Sequence, residues 1–162
     1  MPNRLAKPSA HSKLSSRVQT KYPRTSTPAA IAVRRAAIVR GKIRLDDLQH
    51  EQEWSQDSAY ADSKLAMTAL AFALARRWPD VLSNAVQPGW VSTKMSGYAA
   101  PLTVAQGADT PAWLAGSEDP AALVTGTFFQ DRKAIEVNPQ AYDPSLQDAL
   151  LARCLELCGA SL

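Results

Sequence analysis

Hydrophobic and polar positions follow no sustained period over the first thirty residues. Pro2, Pro8, Pro23 and Pro28 stand there among Ser, Thr, Arg and Lys. Such a stretch is expected to be disordered or loosely packed. Residues 42–57 are polar and acidic, with Trp54 among them, and predict a loop or a short helix. The pattern then changes. Residues 59–75 are rich in alanine and apolar all round, which predicts a long helix buried on more than one side. Ser55, Asp57 or Ser58 is placed to cap it. Pro79-Asp80 ends it, because proline cannot continue the ladder. Residues 81–86 are a short apolar run and predict a buried strand. Gln87-Pro88-Gly89-Trp90-Val91-Ser92-Thr93 turns the chain at that strand's carboxyl end, where ligands of open α/β sheets sit. Residues 106–115 predict a helix interrupted by Pro111, and 123–129 alternate β-branched and aromatic residues as a strand does. Asp143-Pro144 opens a last amphipathic helix through Leu157, with Leu146, Ala149, Leu150, Cys154 and Leu157 on its apolar side and Gly159 as a stop.

Length and charge sharpen this picture. A chain of 162 residues suffices for one domain with its own core. No apolar run is long enough to span a bilayer. The net charge of +3 hides a lopsided distribution. Residues 1–45 hold eleven Lys and Arg and no acid, while residues 46–162 hold seven Lys and Arg and all fifteen acids. A composition boundary therefore lies near residues 39–42, dividing a basic segment, 1–40, from an acidic one, 41–162. Absence of acids with many Arg and Ser suits an organellar transit peptide, although the prolines spoil an amphipathic helix. Charge alone could also draw the segment to nucleic acid or an anionic membrane. Its single aromatic, Tyr22, offers no stacking platform, so a nucleic-acid partner is not expected.

Candidate chemistry centres on Tyr60 and Lys64. Four apart on a helix, they share a face. A phenol is a poor acid or base near neutrality, and a lysine ammonium held beside it favours the phenolate. The pair can therefore transfer a proton. Cys154 and Cys158 also stand four apart, but a metal site needs further ligands, and His11 and His50 are distant in sequence. They are expected to be ordinary thiols, and low cysteine suits a reducing compartment.

Tyr60-x-x-Ser63-Lys64, a long helix, and then Asn84-Ala85-Val86-x-Pro88-Gly89-x-Val91-x-Thr93 resemble the short-chain dehydrogenases/reductases. Gly41-Lys42-Ile43-Arg44-Leu45-Asp46-Asp47-Leu48-Gln49, Asp131-Arg132-Lys133 and Pro139-Gln140-Ala141 are similar to the retinol-dehydrogenase-like branch of that family. The resemblance runs from Gly41 to the end. It implies an α/β fold, here an incomplete Rossmann-like one: the C-terminal half of a doubly wound parallel sheet, preceded by the disordered basic segment. It implies hydride transfer between NADP or NAD and a carbonyl or alcohol, on a small or lipophilic substrate in the cytoplasm, or in an organelle if residues 1–40 are a transit peptide. Tyr60 would exchange the proton, and Lys64 would assist it and hydrogen-bond the nicotinamide ribose. Pro88, Gly89 and Val91 would wall the nicotinamide, and Thr93 would reach its carboxamide or the phosphates. Residues 94–118 would include a substrate-covering loop. Pairing of two chains through the Tyr60 helix is also expected.

The departures are as informative. Glycines occur only at 41, 89, 97, 107, 116, 126 and 159, so the glycine-rich turn that cradles a pyrophosphate is missing. The family's Asn-Ala-Gly element and its catalytic serine are missing too. Two outcomes are expected: a truncated or mis-framed oxidoreductase without activity, or a non-catalytic remnant acting as an interaction module. In the family branch a strand ending Ser-Ser-Gly precedes the Gly-Lys-Ile-Arg segment, where this chain has Arg34-Arg35-Ala36-Ala37. Codons CGT and CGG for the two arginines, preceded by T, give Ser-Ser-Gly when read one base earlier. A frameshift or mispredicted start within 1–40 is therefore the hypothesis. Sequencing the genomic DNA tests it: if no shifted frame across Val33 to Ala36 can encode Ser-Ser-Gly, the hypothesis fails.

Overall fold

The computed structural model describes residues 27–32 and 35–161. In chain order they form strand β1 (Thr27–Ala32), helix α1 (Arg35–Arg40), helix α2 (Gln56–Arg77), strand β2 (Val81–Gln87), helix α3 (Val104–Gly116), strand β3 (Phe128–Gln130), strand β4 (Lys133–Ala134) and helix α4 (Pro144–Cys158). Single turns of 3-10 helix lie at Lys94–Ser96 and Pro139–Tyr142. The strands make one sheet in the order β1-β2-β3-β4. β1, β2 and β3 run parallel, and β4 folds back antiparallel on β3.

Both faces of the sheet are covered, which is why four consecutive residues of β2, Ser83 to Val86, are buried without alternation. Ala85 of β2 and Phe128 of β3 join a core with Leu65, Ala69 and Phe72 of α2, Leu150 of α4, and Ile38 and Ile43. The next residue of each strand points the other way: Val86 and Phe129 pack with Trp113 and Leu114 of α3 and with Ala122. Helices on two faces of a parallel sheet are the doubly wound α/β arrangement.

α2 is the central helix. It contacts α1, α4, β1 and β2, as its all-round apolar sequence predicts. Ser55 caps it, accepting from the Ser58 amide at 3.2 Å. Its alanines let neighbours come close. A Cβ on Gly41 would lie 2.5 Å from the Ala61 carbonyl oxygen, so only glycine lets the chain cross α2 there. α4 lies against α2 through Leu150 and through charge. Arg76 Nη2 and Arg77 Nη2 donate to Asp148 Oδ1 at 2.6 and 3.0 Å. Asp143 caps α4 by accepting from the Ser145 and Leu146 amides, and Gly159 ends it with a left-handed φ of 61°.

Several expectations are corrected. Part of the segment 1–40 expected to be disordered is regular: residues 27–32 are a strand and 35–40 a helix. The strand gains a six-residue parallel ladder with β2, and among the described strands it stands at the end of the sheet, the place where a proline such as Pro28 is tolerated. The rest of that segment lies outside the described residues. The strand expected over 123–129 shrinks to 128–130. Beside β2 its first half bonds irregularly: Thr125 Oγ1 accepts from the Ser83 amide at 2.9 Å and the Gly126 amide donates to Ser83 O at 2.8 Å. α3 runs through Pro111 without a break. Leu157, expected on the apolar side of α4, is exposed, and Leu151 is buried instead. Among the described residues no helix is long and apolar enough to cross a membrane.

The Arg76 and Arg77 guanidiniums hold the Asp148 carboxyl below the usual carboxylate range. A depressed carboxylate stabilises the fold above its unfolded pKa of about 3.9 and loses that contribution as pH falls through its lower folded value. Acidification from pH 5 to pH 3 is therefore expected to lower the Tm of the natural chain more than that of Asp148→Asn. Thermal melts with parallel acid limbs in the two proteins would show that the clamp contributes nothing.

Candidate functional site

One hydrogen bond sets the register of the site. Ser83 Oγ of β2 donates to the Ala71 carbonyl oxygen of α2 at 2.8 Å, and both residues are buried. From Ser83 the strand climbs four residues to Gln87, about 13 Å. From Ala71 the antiparallel helix runs back seven residues to Lys64, about 10 Å, and eleven to Tyr60, about 16 Å. The carboxyl end of β2 is thus level with the stretch of α2 between Lys64 and Tyr60. β1 ends at the same height, with Ala32 opposite Val86. The Tyr60 and Lys64 turn, the end of β1 and the Pro88-Gly89 turn therefore share one end of the sheet. Of Arg34-Arg35-Ala36-Ala37, where the resemblance puts the family's Ser-Ser-Gly, Arg34 lies outside the described residues and the other three open α1.

Within the pair, Lys64 Nζ lies 5.4 Å from the Tyr60 ring centroid and donates to Met67 Sδ at 3.8 Å. Tyr60 is 42% exposed and Lys64 half-buried. Ser63 does not face this pair through its hydroxyl, which donates to the Tyr60 carbonyl oxygen at 2.8 Å. The phenol thus reaches solvent at the sheet's carboxyl end with a cation over its ring.

The turn after β2 is tightly built. Gly89 has φ 81°, and a Cβ there would meet Leu102 Cδ1 at 2.4 Å. The loop closes on itself: the Ser92 amide donates to Leu102 O at 2.7 Å, and the Leu102 amide to Trp90 O at 3.2 Å. Val91 bridges Leu102 and is half-buried against α3, where a Cβ on Gly107 would lie 2.3 Å from Val91 Cγ2. Thr93 starts the 3-10 turn, its carbonyl oxygen accepting from the Ser96 and Tyr98 amides and its amide donating to Ser96 Oγ. Beyond it Trp90, Met95 and Tyr98 are exposed.

Two features of the site carry no signal in local sequence. Asp62, two residues after Tyr60, accepts from the Lys42 amide at 2.7 Å and from Arg44 Nη2 at 3.0 Å, with His50 Nε2 at 3.4 Å. Asp62 in turn holds the Arg44 guanidinium above its ordinary pKa. This clasp ties the 42–50 loop to the first turns of α2 across some twenty residues of sequence. Asn84, part of the recognised motif, is buried and ties β2 to the stretch before β3: Nδ2 donates to Val124 O at 2.7 Å and Oδ1 accepts from the Thr127 amide at 3.0 Å. Its work is structural.

No family model matches the sequence. A short-chain dehydrogenase of Gibberella zeae is 37% identical over 114 residues, 69% of this chain and 43% of that protein. The NADPH carbonyl reductase 1 of Sus scrofa is 36% identical over 101 residues, 57% of this chain and 35% of that one. The chain belongs to the short-chain dehydrogenase/reductase family. It spans less than half the length of the curated relatives it matches. A crystal structure of an uncharacterised Mycobacterium paratuberculosis protein superposes over 86% of this chain and 53% of that one, with TM-score 0.67 and 23% identity, which shows the shared fold. In this member of the family the Tyr60 helix and the strand after it stand in the α/β arrangement the motifs implied.

Val91 is held from two sides, by Leu102 and by Gly107. Gly107→Ala is therefore expected to cost about 1–3 kcal/mol, as overpacking does. Adding Val91→Ala should recover most of that loss. Equilibrium unfolding of the two single variants and the double variant measures the coupling, and additive effects would show that this contact does not limit the loop.

Proposed function

We propose that the chain carries the tyrosine half of an NAD(P)-dependent carbonyl reductase or alcohol dehydrogenase of the short-chain type. The observation that carries this reading is the placement of Tyr60, with Lys64 over its ring, level with the Pro88-Gly89 turn at the carboxyl end of a parallel sheet. The Tyr60 hydroxyl would give its proton to a carbonyl oxygen in reduction, or take it back in oxidation. The Lys64 ammonium would compensate the phenolate charge and hold the nicotinamide ribose. Pro88, Gly89 and Val91 would form the nicotinamide wall and Thr93 the carboxamide contact. A bound nicotinamide dinucleotide supplies the hydride. Trp90, Met95 and Tyr98 favour a lipophilic carbonyl compound as substrate. Likeness to the retinol-dehydrogenase-like branch rests on residues 41–49 and the tail at 131–141, while the relatives above carry other names.

The residues present fit only one side of such a cofactor. The left-handed Gly89 and the Tyr60 helix suit the nicotinamide and its ribose. Nothing in the sequence offers a pyrophosphate cradle, since no glycine precedes Gly41. The chain by itself is therefore proposed to be inactive, its chemistry waiting on a glycine-rich half from elsewhere. A second reading, a non-catalytic module that pairs with a full-length relative or a second copy, is favoured by the exposed Trp54 and Tyr60 around the start of α2.

Titrating the purified chain with NADPH and NADH, followed by cofactor fluorescence, tests the proposal. No saturation is expected up to about 1 mM, an affinity of only some 4 kcal/mol. Saturable micromolar binding would overturn the claim that the pyrophosphate side is lacking. In any assembly that does reduce a carbonyl, Tyr60→Phe should lower kcat at least about 100-fold, and an unchanged kcat would remove Tyr60 from the chemistry.

A further inference from the structure

Two sharp turns leave the carboxyl end of the sheet at one height. Gln87 of β2 stands opposite Gln130 of β3, so the Pro88-Gly89 turn and the β3–β4 hairpin begin side by side. The hairpin has two loop residues, Asp131 and Arg132, since Gln130 pairs with Lys133. Both are left-handed, with φ 51° and 59°. A two-residue hairpin of this kind prefers Asp-Gly. An arginine in the glycine place persists only where its surroundings hold it there.

α3 holds it. The Arg132 amide donates to Thr110 Oγ1 at 3.1 Å, and Thr110 is buried. The guanidinium forks onto Asp109: Nε donates to Oδ2 at 2.7 Å and Nη2 to Oδ1. Its Cζ lies 6.0 Å from the centroid of the Trp113 ring, which meets Phe129 of β3 edge to face. An ion pair half exposed to water would hold little by itself. Here a bidentate fork, a ring contact and a backbone bond to a buried threonine converge on one residue. The same helix receives Val91. Gly107 stands three residues before Thr110, on the same buried side of α3. Val91 Cγ2 lies 2.3 Å from the place a Cβ on Gly107 would take. One side of α3 thus joins the loop after β2 to the turn after β3.

We propose that Arg132 is a positioning residue for Val91. By fixing α3 to the β3–β4 turn, it sets how Val91 seats against Gly107, and with it the wall proposed above for the nicotinamide. The inference rests on that proposed function for the use of Val91, while the link itself stands on the contacts.

Arg132→Gly tests it. Glycine is the residue the turn prefers, and the amide that bonds Thr110 is kept, so the hairpin stays formed while the guanidinium is lost. In the full chain with labelled valine methyls, the Val91 methyl signals are expected to shift in the NMR spectrum. The Ser92 and Leu102 amides close the loop around Val91, and they should exchange with solvent at least about tenfold faster. The Ala85 amide, bonded to Thr127 O inside the sheet, should keep its rate. Asp109→Asn should give the same pattern, and it carries the test if the first variant does not fold. Asp148→Asn, on the other face of the sheet, should leave the Val91 signals in place. Unmoved Val91 signals in Arg132→Gly and Asp109→Asn would overturn the proposal. So would an equal shift in Asp148→Asn, an exchange rise at Ala85 equal to that at Ser92, or failure of both α3-side variants to fold, each of which would leave Arg132 a role in overall stability alone. Every readout is taken without cofactor, so the outcome of the NADPH titration does not enter it.

Discussion

A helix laid antiparallel on the strand that follows it is the constraint from which the rest of this structure takes its position. The Ser83 hydroxyl bonded to the Ala71 carbonyl oxygen fixes how far α2 is slid along β2. A slide of one helical turn, about 5 Å, would carry Tyr60 past the strand end or bury it beside the sheet. Both partners are buried, and the bond leaves no polar atom of the serine side chain idle in the core. Alanine is what permits the close contact. Ala61, Ala69, Ala71, Ala73 and Ala75 are all buried, so the backbone of α2 can approach the sheet, the Gly41 crossing and α4 at once.

That arrangement explains which parts of the fold were legible in sequence. The all-round apolar run of α2 and the unalternated β2 announced elements buried on two faces, and their order announced the α/β unit. Tyr60 and Lys64 were legible because their relation is local, one helical turn. What escaped depends on partners distant in sequence. β1 is a strand because β2 offers it a ladder, and its proline and its basic surroundings pointed elsewhere. The stretch before β3 looked like a strand by composition. Side chains of Asn84 and Thr125 and the left-handed Gly126 take up its backbone groups instead, so the regular ladder starts only at Phe128. Pro111 signalled a break in α3, yet the helix continues through it from Val104 to Gly116, held on its inner side by Trp113 and Leu114.

The motif itself divides into chemistry and carpentry. Tyr60 and Lys64 present polar groups at the sheet end. Asn84 is buried and joins β2 to the 124–127 backbone. Gly89 turns the chain, and Val91 wedges between Leu102 and Gly107. Residues that travel together in a sequence signature thus need not act together on a substrate. Some are there so that others stand still, and only the side-chain bonds tell which.

The Asp62 clasp extends the same logic. Asp62 lies on α2 between the tyrosine and the lysine in sequence but faces the 42–50 loop rather than the sheet end. Arg44 pairs with its charge, the Lys42 amide donates to it, and Gly41 lets that loop run close to Ala61. The first turns of α2, which would otherwise fray as helix ends do, are thereby fastened to the 42–50 loop. A phenol that must meet a reacting oxygen within hydrogen-bond distance gains from such fastening, because a misplacement of about 1 Å can cost two orders of magnitude in rate. The first turns of α2 are thus held by their own loop as well as by the sheet. No glycine precedes Gly41 in the sequence, so on the proposed reading a pyrophosphate cradle has to be a separate element that no adjustment of α2 or β2 could replace.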